Sequence, residues 1–179
     1  MIAPPALQLP LLTSSILISM MKLTARFSLC FLLITSAALA DLEIARDLMD
    51  AGDYKSAYKE LWPAARSGNA EAEELIGVMY AMGLGVERDD QRAFEWYLRS
   101  SMKGHPGAQS GVGWYYEVGR GLPEPDLVRA YMWYTLSAIG GDPDAAISLE
   151  EVVKKMTTEQ IEQAQLLIDD YKVWLYPFR

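Results

Sequence analysis

The sequence repeats itself at an interval of 36 residues, and this periodicity restricts the fold more than any other feature of the chain. Residues between Ala72 and Gly85 recur between Ala108 and Gly121, and beyond that turn one inserted residue lengthens the interval to 37. A unit of this length cannot bury its apolar face alone, so neighbouring copies are expected to stack into a solenoid. The matching pairs are Ala72/Ala108, Gly77/Gly113, Tyr80/Tyr116, Gly83/Gly119, Gly85/Gly121, Ala93/Ala130, Trp96/Trp133, Tyr97/Tyr134 and Gly104/Gly141.

Each unit contains the signals for two helices. A polar residue stands before each predicted helical run, and Pro106 and Pro143 suit the first helical position because an N–H would have no helical partner there. Gly83 and Gly85 end the first helix, since glycine adopts left-handed backbone geometry at no steric cost. The chain is therefore predicted to be all-α. The polar residues at the predicted helix starts are Asn69, Asp89, His105, Asp126 and Asp142.

The spacing within the first helix of each unit predicts which face packs. Ala72, Ile76 and Tyr80 are four residues apart, so they share one side of a helix. Gly77 and its copy Gly113 lie in the same helix, where a glycine costs about 1 kcal/mol relative to alanine. Their recurrence indicates that a neighbouring helix approaches closely at this point.

The order of alanine, glycine and aromatic residues from Ala72 to Tyr97 resembles the Sel1-like repeat, a relative of the tetratricopeptide repeat. The resemblance covers 41–155, and it implies a right-handed α/α solenoid of helix pairs. The predicted parts are a divergent, tetratricopeptide-like unit over 41–68, full repeats over 69–104 and 105–141, and a half unit over 142–155.

Residues 156–179 are predicted to form a capping helix and a tail. Thr157 and Gln160 have the spacing of a capping box, and a single apolar stripe follows them. A solenoid requires such a cap because its last unit would otherwise expose an apolar face. The apolar ending from Trp174 to Arg179 either packs on the last repeat or docks a partner, and both interpretations stay open.

Residues 1–40 carry the pattern of a secretory signal peptide. Lys22 and Arg26 precede an apolar run, and Ala38-Leu39-Ala40 is a small-x-small cleavage site in front of Asp41. The run is shorter than the roughly 20 apolar residues that a membrane anchor needs. We expect cleavage after residue 40 and a periplasmic or secreted mature protein with no integral membrane span.

The position of the translation start stays open. Met20 and Met21 stand immediately before the signal pattern, so 1–20 lies upstream of the protein if either methionine is the start. If Met1 is the start, the apolar stretch over 7–20 becomes a second hydrophobic segment, and a membrane anchor returns to consideration.

The charge and the cysteine content exclude several classes of function. The chain has 16 basic and 24 acidic residues, and its net charge of −8 becomes −10 once Lys22 and Arg26 leave with the signal. This charge repels phosphate backbones, so nucleic acid is not an expected partner. The single cysteine, Cys30, lies in the apolar signal run, so the mature chain offers no disulfide and no thiolate.

Catalytic and metal-binding signals are weak. His105 is the single histidine, and because other polar residues occupy its position in the neighbouring units, we interpret it as a helix-start residue. Glu71, Glu73 and Glu74 are interpreted as solvated side chains that offset the helix macrodipole. We therefore predict no enzymatic activity, no cofactor and no metal site. The enzyme alternative is a β-lactamase-like or penicillin-binding Sel1-like hydrolase, although those relatives are rich in cysteine.

The remaining function is binding. Exported Sel1-like proteins resemble adaptors of the cell envelope, so the resemblance implies a non-catalytic scaffold with an unidentified protein or peptide partner. Direct binding to peptidoglycan is the structural alternative. In tetratricopeptide-like solenoids, the side of the first helices that turns away from the packed face lines a concave groove, which is the predicted binding site. Its candidate residues, called the groove face below, are Glu71, Glu74, Val78, Met82, Ser110, Trp114, Glu117 and Glu151.

Trp114 is the predicted anchor of the groove face. Its counterpart in the preceding copy is Val78, so the repeat pattern does not account for a tryptophan there. We expect Trp114 to hold an extended or helical peptide with basic residues, whose charge Glu74 and Glu117 select. The alternative is that Trp114 packs against the C-terminal helix or tail.

The signal pattern generates a direct prediction. The protein recovered from a bacterial periplasmic fraction should have the intact mass of a chain that begins at Asp41, because the small residues before it suit signal peptidase. Retention of residues 22–40 in the recovered protein would contradict the prediction.

Overall fold

The structure of the protein is a computed structural model that describes residues 42–175, with side chains as far as Tyr171. The predicted signal peptide and the end of the predicted tail, 176–179, lie outside these residues, as do the side chains of 172–175. Everything described is helix or turn, which confirms the all-α prediction. The helices are α1 (42–50), α2 (Tyr54–Arg66), α3 (Ala70–Met82), α4 (Asp90–Ser101), α5 (Pro106–Val118), α6 (Leu127–Ile139), α7 (Pro143–Val153) and α8 (Thr158–Leu175).

Short polar side chains start the helices as predicted. The Asn69 carboxamide oxygen accepts a hydrogen bond from the Ala72 N–H at 2.9 Å, and Asp126 accepts one from Arg129 at the same distance. Each bond satisfies one of the backbone donors that the first turn of a helix leaves without an intrahelical partner. Asp89, His105 and Asp142 cap α4, α5 and α7 in the same way.

The first helix of each repeat ends on a glycine with left-handed backbone geometry. Gly83 closes α3 with φ of 71°, and Gly119 closes α5 with φ of 69°. A side chain at either position would be strained, so the two turns are built alike. The turn after α5 is one residue longer than the turn after α3, in agreement with the inserted residue.

From α2 to α7 each helix packs against the next one along the chain, and α8 packs against α6. The same buried hydrogen bond joins the two helices of each repeat. Ser100 in α4 donates to the Ala70 carbonyl at 2.6 Å, and Ser137 in α6 donates to the Pro106 carbonyl at 2.8 Å. The second helix is thereby fixed to the first turn of the first helix in both copies.

Small and aromatic side chains fill the core that these pairs enclose. Ala72, Ala93, Ala108 and Ala130 are completely buried, which lets the helices approach one another. Ile76 and Val112, at equivalent positions, are also completely buried.

The two glycines within the first helices are sites of the predicted close approach. A methyl group built on Gly77 would lie 3.2 Å from the ring of Tyr97, and one built on Gly113 would lie 2.8 Å from the ring of Tyr134. Each tyrosine belongs to the second helix of the same repeat, so its ring rests on bare backbone. The prediction of close helix packing at both glycines is confirmed.

Helix α8 begins with the predicted capping box. The Gln160 N–H donates to the Thr157 hydroxyl at 3.3 Å, and the Thr157 N–H donates to the Gln160 side chain at 2.9 Å. Ala164 and Ile168 on its apolar stripe are completely buried.

The glycine contacts predict a large effect of substitution. Gly77→Leu should lower the free energy of unfolding by more than about 2 kcal/mol, because the added side chain overlaps the Tyr97 ring. Urea denaturation followed by circular dichroism measures the change. Gly107→Ala is the control, since a methyl group there would have its nearest neighbour at 3.5 Å. An unchanged midpoint in Gly77→Leu would refute the helix pairing.

Candidate partner-binding face

Apolar side chains remain exposed on the first helices of successive units. Met82 near the end of α3 is 68% exposed, Trp114 in α5 is 40% exposed, and Ile147 in α7 is 63% exposed. Two recesses adjoin this surface, and Trp114 lines both of them. The tryptophan therefore separates two places into which a partner could insert side chains.

The α5–α7 recess lies on one side of Trp114 and has a volume of 540 Å³. Its floor is open because Gly107 and Gly111 carry no side chains. The residues that can form hydrogen bonds there are Ser110, Tyr134, Asp142, Asp144 and Ser148. The two aspartates give this recess an acidic rim.

The α3–α5 recess lies on the other side of Trp114 and has a volume of 480 Å³. Its apolar lining comes from Ala81, Met82, Tyr97, Gly111, Trp114 and Tyr115. Its charged side chains are Arg88 and Arg120, so this recess is basic where its neighbour is acidic.

Trp114 is held by two neighbours and keeps one face accessible. Its ring meets Tyr115 edge to face at 5.1 Å between centroids, and the Arg120 guanidinium carbon lies 5.6 Å from the Trp114 ring centroid. Helix α8 packs on α6, where Tyr171 meets Trp133 at 5.3 Å. Packing against the tail lies outside the described residues.

The two arginines share one carboxylate. The Nη2 and Nε atoms of Arg88 lie 3.3 and 3.4 Å from Asp90 Oδ1, and the Nε atom of Arg120 lies 3.6 Å from Asp90 Oδ2. The Tyr115 hydroxyl also donates to Asp90 at 3.4 Å. Burial, together with the Asp90 charge and this bond, raises the pKa of Tyr115 to about 12.

Glu74 lies in the seam between α3 and α5. A methyl group built on Gly107 would lie 3.5 Å from Glu74 Oε1 and 3.6 Å from the His105 ring, so both side chains flank that glycine. Burial raises the pKa of Glu74 to about 7, and burial lowers the pKa of His105. The prediction that Glu74 is a solvated side chain is wrong, because the seam removes water from its carboxyl group.

Glu73 departs further from the predicted solvated role. Its side chain is completely buried, contacts Arg99 at 2.8 Å and forms an ion pair with Lys103. Both partners come from the end of α4 or just after it, so the carboxylate joins the two helices of the first repeat. Its counterpart Gln109 is also buried and donates to the Ser101 carbonyl at 3.4 Å.

Other groove-face carboxylates have partners within the protein. Glu117 accepts a hydrogen bond from the Tyr134 hydroxyl at 2.8 Å and pairs with Lys155 at 2.6 Å. Glu71 pairs with Arg46, and Glu151 pairs with Lys154. The predicted role of Glu117 in charge selection therefore requires a partner to displace Lys155.

The structure brings only part of the groove face together around Trp114. Ser110 shares the α5–α7 recess with it, and Met82 shares the α3–α5 recess. Val78 is half-buried and packs against the core. Glu71 and Glu151 lie outside both recesses.

Sequence reasoning missed Arg88 and Arg120, which lie in turns and not on a helix face. A comparison of the two repeat copies could have identified both arginines. At an offset of 36 Arg120 corresponds to Leu84, and at 37 Arg88 corresponds to Pro125, so neither charge is required by the repeat. The same comparison identified Trp114.

His105 has the helix-start role expected from the sequence, since its Nδ1 accepts a hydrogen bond from the Ala108 N–H at 3.4 Å. Among the residues described, no group of three or more histidine, cysteine or acidic side chains is placed to hold a metal ion. None of the helices described between 42 and 175 is long and apolar enough to cross a membrane.

Comparison with known proteins agrees with this geometry. The family model of the Sel1 repeat matches residues 70–105 and 106–142, which contain α3 with α4 and α5 with α6. The chain carries two Sel1 repeats.

Two solved structures of bacterial proteins share the Sel1-type solenoid. The chain is similar to c5321, described as a protective antigen of uropathogenic Escherichia coli, with a TM-score of 0.71 and 27% identity over 75% of this chain and 30% of that one. It is also similar to a Sel1 repeat protein from Oxalobacter formigenes, with a TM-score of 0.57 and 31% identity over 60% of this chain and 44% of that one. The α/α solenoid prediction is confirmed.

Two longer plant proteins also match. The ERAD-associated E3 ubiquitin-protein ligase components HRD3A and HRD3B of Arabidopsis thaliana are 33% and 36% identical to the chain over 90 residues. The match covers 50% of this chain but only 13% and 15% of the two relatives. The chain therefore spans less than a sixth of the length of either plant protein.

The environment of Glu74 predicts a pH dependence of stability. Its pKa rises from 4.5 to about 7 on folding, so the native state retains a proton that the unfolded chain releases, and Glu74 lowers stability as pH increases through this range. Glu74→Gln should therefore stabilise the protein by about 3 kcal/mol at pH 8 and leave it unchanged at pH 4. Urea denaturation at both pH values tests this. The exposed Glu162→Gln is the control, and an equal effect at both pH values in Glu74→Gln would contradict the assignment.

Proposed function

We propose that this protein is a non-catalytic adaptor of the bacterial cell envelope that binds a protein or peptide partner on the groove face of its Sel1 repeats. The observation that carries the proposal is Trp114, an exposed aromatic side chain between two recesses at a position where the preceding repeat has Val78.

The physical basis is the energy of apolar contact. Tryptophan is among the residues that contribute most to protein interfaces, and such residues lie near pockets that exclude water. Trp114 has Met82 on one side, and Val118 in the last turn of α5 is also exposed. Contiguous exposed apolar surface of this kind favours burial against another protein.

The envelope location rests on the sequence. The basic, apolar and small-residue segments that end at Ala40 support export, and the loss of Cys30 with the signal leaves a mature chain without thiols for an oxidising compartment to modify.

The plant relatives support the adaptor role in a limited way. Both are named as components of a ubiquitin-protein ligase, so the sequence similar to this chain occurs there in proteins that work with other proteins. The chain spans less than a sixth of either protein, and their activity is not part of the proposal.

Site-specific photo-crosslinking tests the adaptor role. A photoreactive amino acid at Met82, in cells that export the protein, should yield a discrete protein adduct that mass spectrometry identifies. The matched control is the same substitution at Leu166, which is also 68% exposed but lies on α8. Trp114→Ala should reduce the Met82 adduct several-fold, because the anchor is lost.

Folding of the variants is verified by their melting temperature. Equal adducts at Met82 and Leu166, or an adduct at Met82 that persists in Trp114→Ala, would contradict a binding site around Trp114. An adduct with glycan in place of protein would favour the peptidoglycan-binding alternative.

A further inference from the structure

We propose that Arg88 and Arg120 bind a side-chain carboxylate of the partner, directly beside the apolar residue that rests on Trp114. The inference builds on the proposed function and specifies the partner's chemistry: an acidic residue adjacent to an apolar one. It replaces the expected preference for basic residues on this side of Trp114.

Three side chains at the α3–α5 recess depart from the repeat pattern. Trp114, Arg88 and Arg120 all occupy positions where the other copy has an uncharged residue of different shape, namely Val78, Pro125 and Leu84. Arg88 lies 26 residues before Trp114 in the sequence. All three side chains nevertheless line the α3–α5 recess. The stacking of the repeats does not require these three residues. Because they meet at one recess, they indicate a function other than the packing of one repeat on the next.

The two arginines carry more positive charge than their shared carboxylate neutralises. Arg88 and Arg120 are met by the single carboxylate of Asp90, at distances of 3.3 to 3.6 Å. The pair of guanidinium groups has about ten N–H donors, and one carboxylate accepts about four hydrogen bonds. The cluster therefore keeps a net positive charge and free donors, within a protein whose net charge is −8.

Both arginine side chains are accessible from solvent. The side chains of Arg88 and Arg120 are 48% and 46% exposed, and Asp90 is more buried at 28%. A carboxylate that enters the recess can reach both guanidinium groups, for which paired N–H···O bonds are the preferred geometry. The apolar walls formed by Met82 and Tyr97 reduce competition from water.

The acidic α5–α7 recess explains why a carboxylate of the partner would bind on the other side of Trp114. Asp142 and Asp144 line the α5–α7 recess, so a carboxylate there would meet like charge. An acidic residue beside the apolar anchor is therefore directed to the arginine side of Trp114.

The competing explanation is purely structural. Arg120 precedes Gly121, and a methyl group on Gly121 would lie 3.3 Å from the backbone of Asp90, so the Arg120–Asp90 pair could serve only to hold the turn after α5 against α4. Asp90→Asn separates the two roles. It removes the internal competitor, so a carboxylate site should bind its ligand more tightly, whereas a structural pair would only become weaker.

The test begins with an unbiased selection. A phage-displayed library of random dodecapeptides is panned against the full exported chain and against its Arg120→Glu variant. We expect peptides selected by the unmodified protein to carry aspartate or glutamate within two residues of an aromatic or large aliphatic residue. The Arg120→Glu variant should lose that acidic enrichment.

Affinities of one selected peptide, measured by fluorescence anisotropy, complete the test. Replacing its acidic residue by the amide should weaken binding about tenfold, and Arg88→Gln or Arg120→Gln should each weaken the acidic peptide but not the amide form. Asp90→Asn should tighten binding of the acidic peptide. Arg66→Gln, which alters an exposed arginine at the end of α2, is the control and should change nothing.

The outcomes separate the two proposals. Selection of no peptide at all would overturn peptide binding and this inference with it. Selected peptides that bind through Trp114 but lack an acidic residue, or whose affinity is unchanged in Arg120→Gln, would overturn the inference and leave the proposed function standing. Weaker binding together with a lower melting temperature in Asp90→Asn would assign the cluster to the structural role.

Discussion

The contact between a tyrosine ring and bare helical backbone is the constraint on which the rest of this structure depends. Tyr97 rests on Gly77, and Tyr134 rests on Gly113 in the next copy. A side chain at either glycine would force the ring away and separate the two helices of the repeat. The distance between the helices, and hence the burial of the alanine-rich core, follows from these positions.

The same use of glycine shapes the candidate binding face. Gly111 faces Tyr97 on one side of α5, and together with Gly107 it leaves the surface beside Trp114 without side chains. The recesses on either side of the tryptophan are therefore a consequence of how the repeats pack. The charged residues that line these recesses come from turns as well as from helices.

The local features of the fold were predictable from sequence. Helix caps, the left-handed glycine at residue 83 and the capping box at Thr157 depend on residues at most a few positions apart, so their spacing carries the information. Trp114 was identified because two copies could be compared. The burial of Glu73 was not predicted, because its ion-pair partners are distant in sequence. Helical spacing placed Glu73 on a polar face. In the structure Glu73 is buried, because Arg99 in the next helix and Lys103 in the turn after that helix pair with its carboxylate.

One aromatic side chain belongs to two repeats at once. The Tyr97 ring lies against Gly77 of its own repeat and against Gly111 of the following one, where a methyl group would be 2.9 Å from it. Opening either interface would expose the same ring to water, so the loss of one repeat costs its neighbour part of its packing energy. Nearest-neighbour coupling of this kind makes the array cooperative. Backbone amides of α4 and α5 should consequently exchange with solvent as a single unit instead of fraying repeat by repeat.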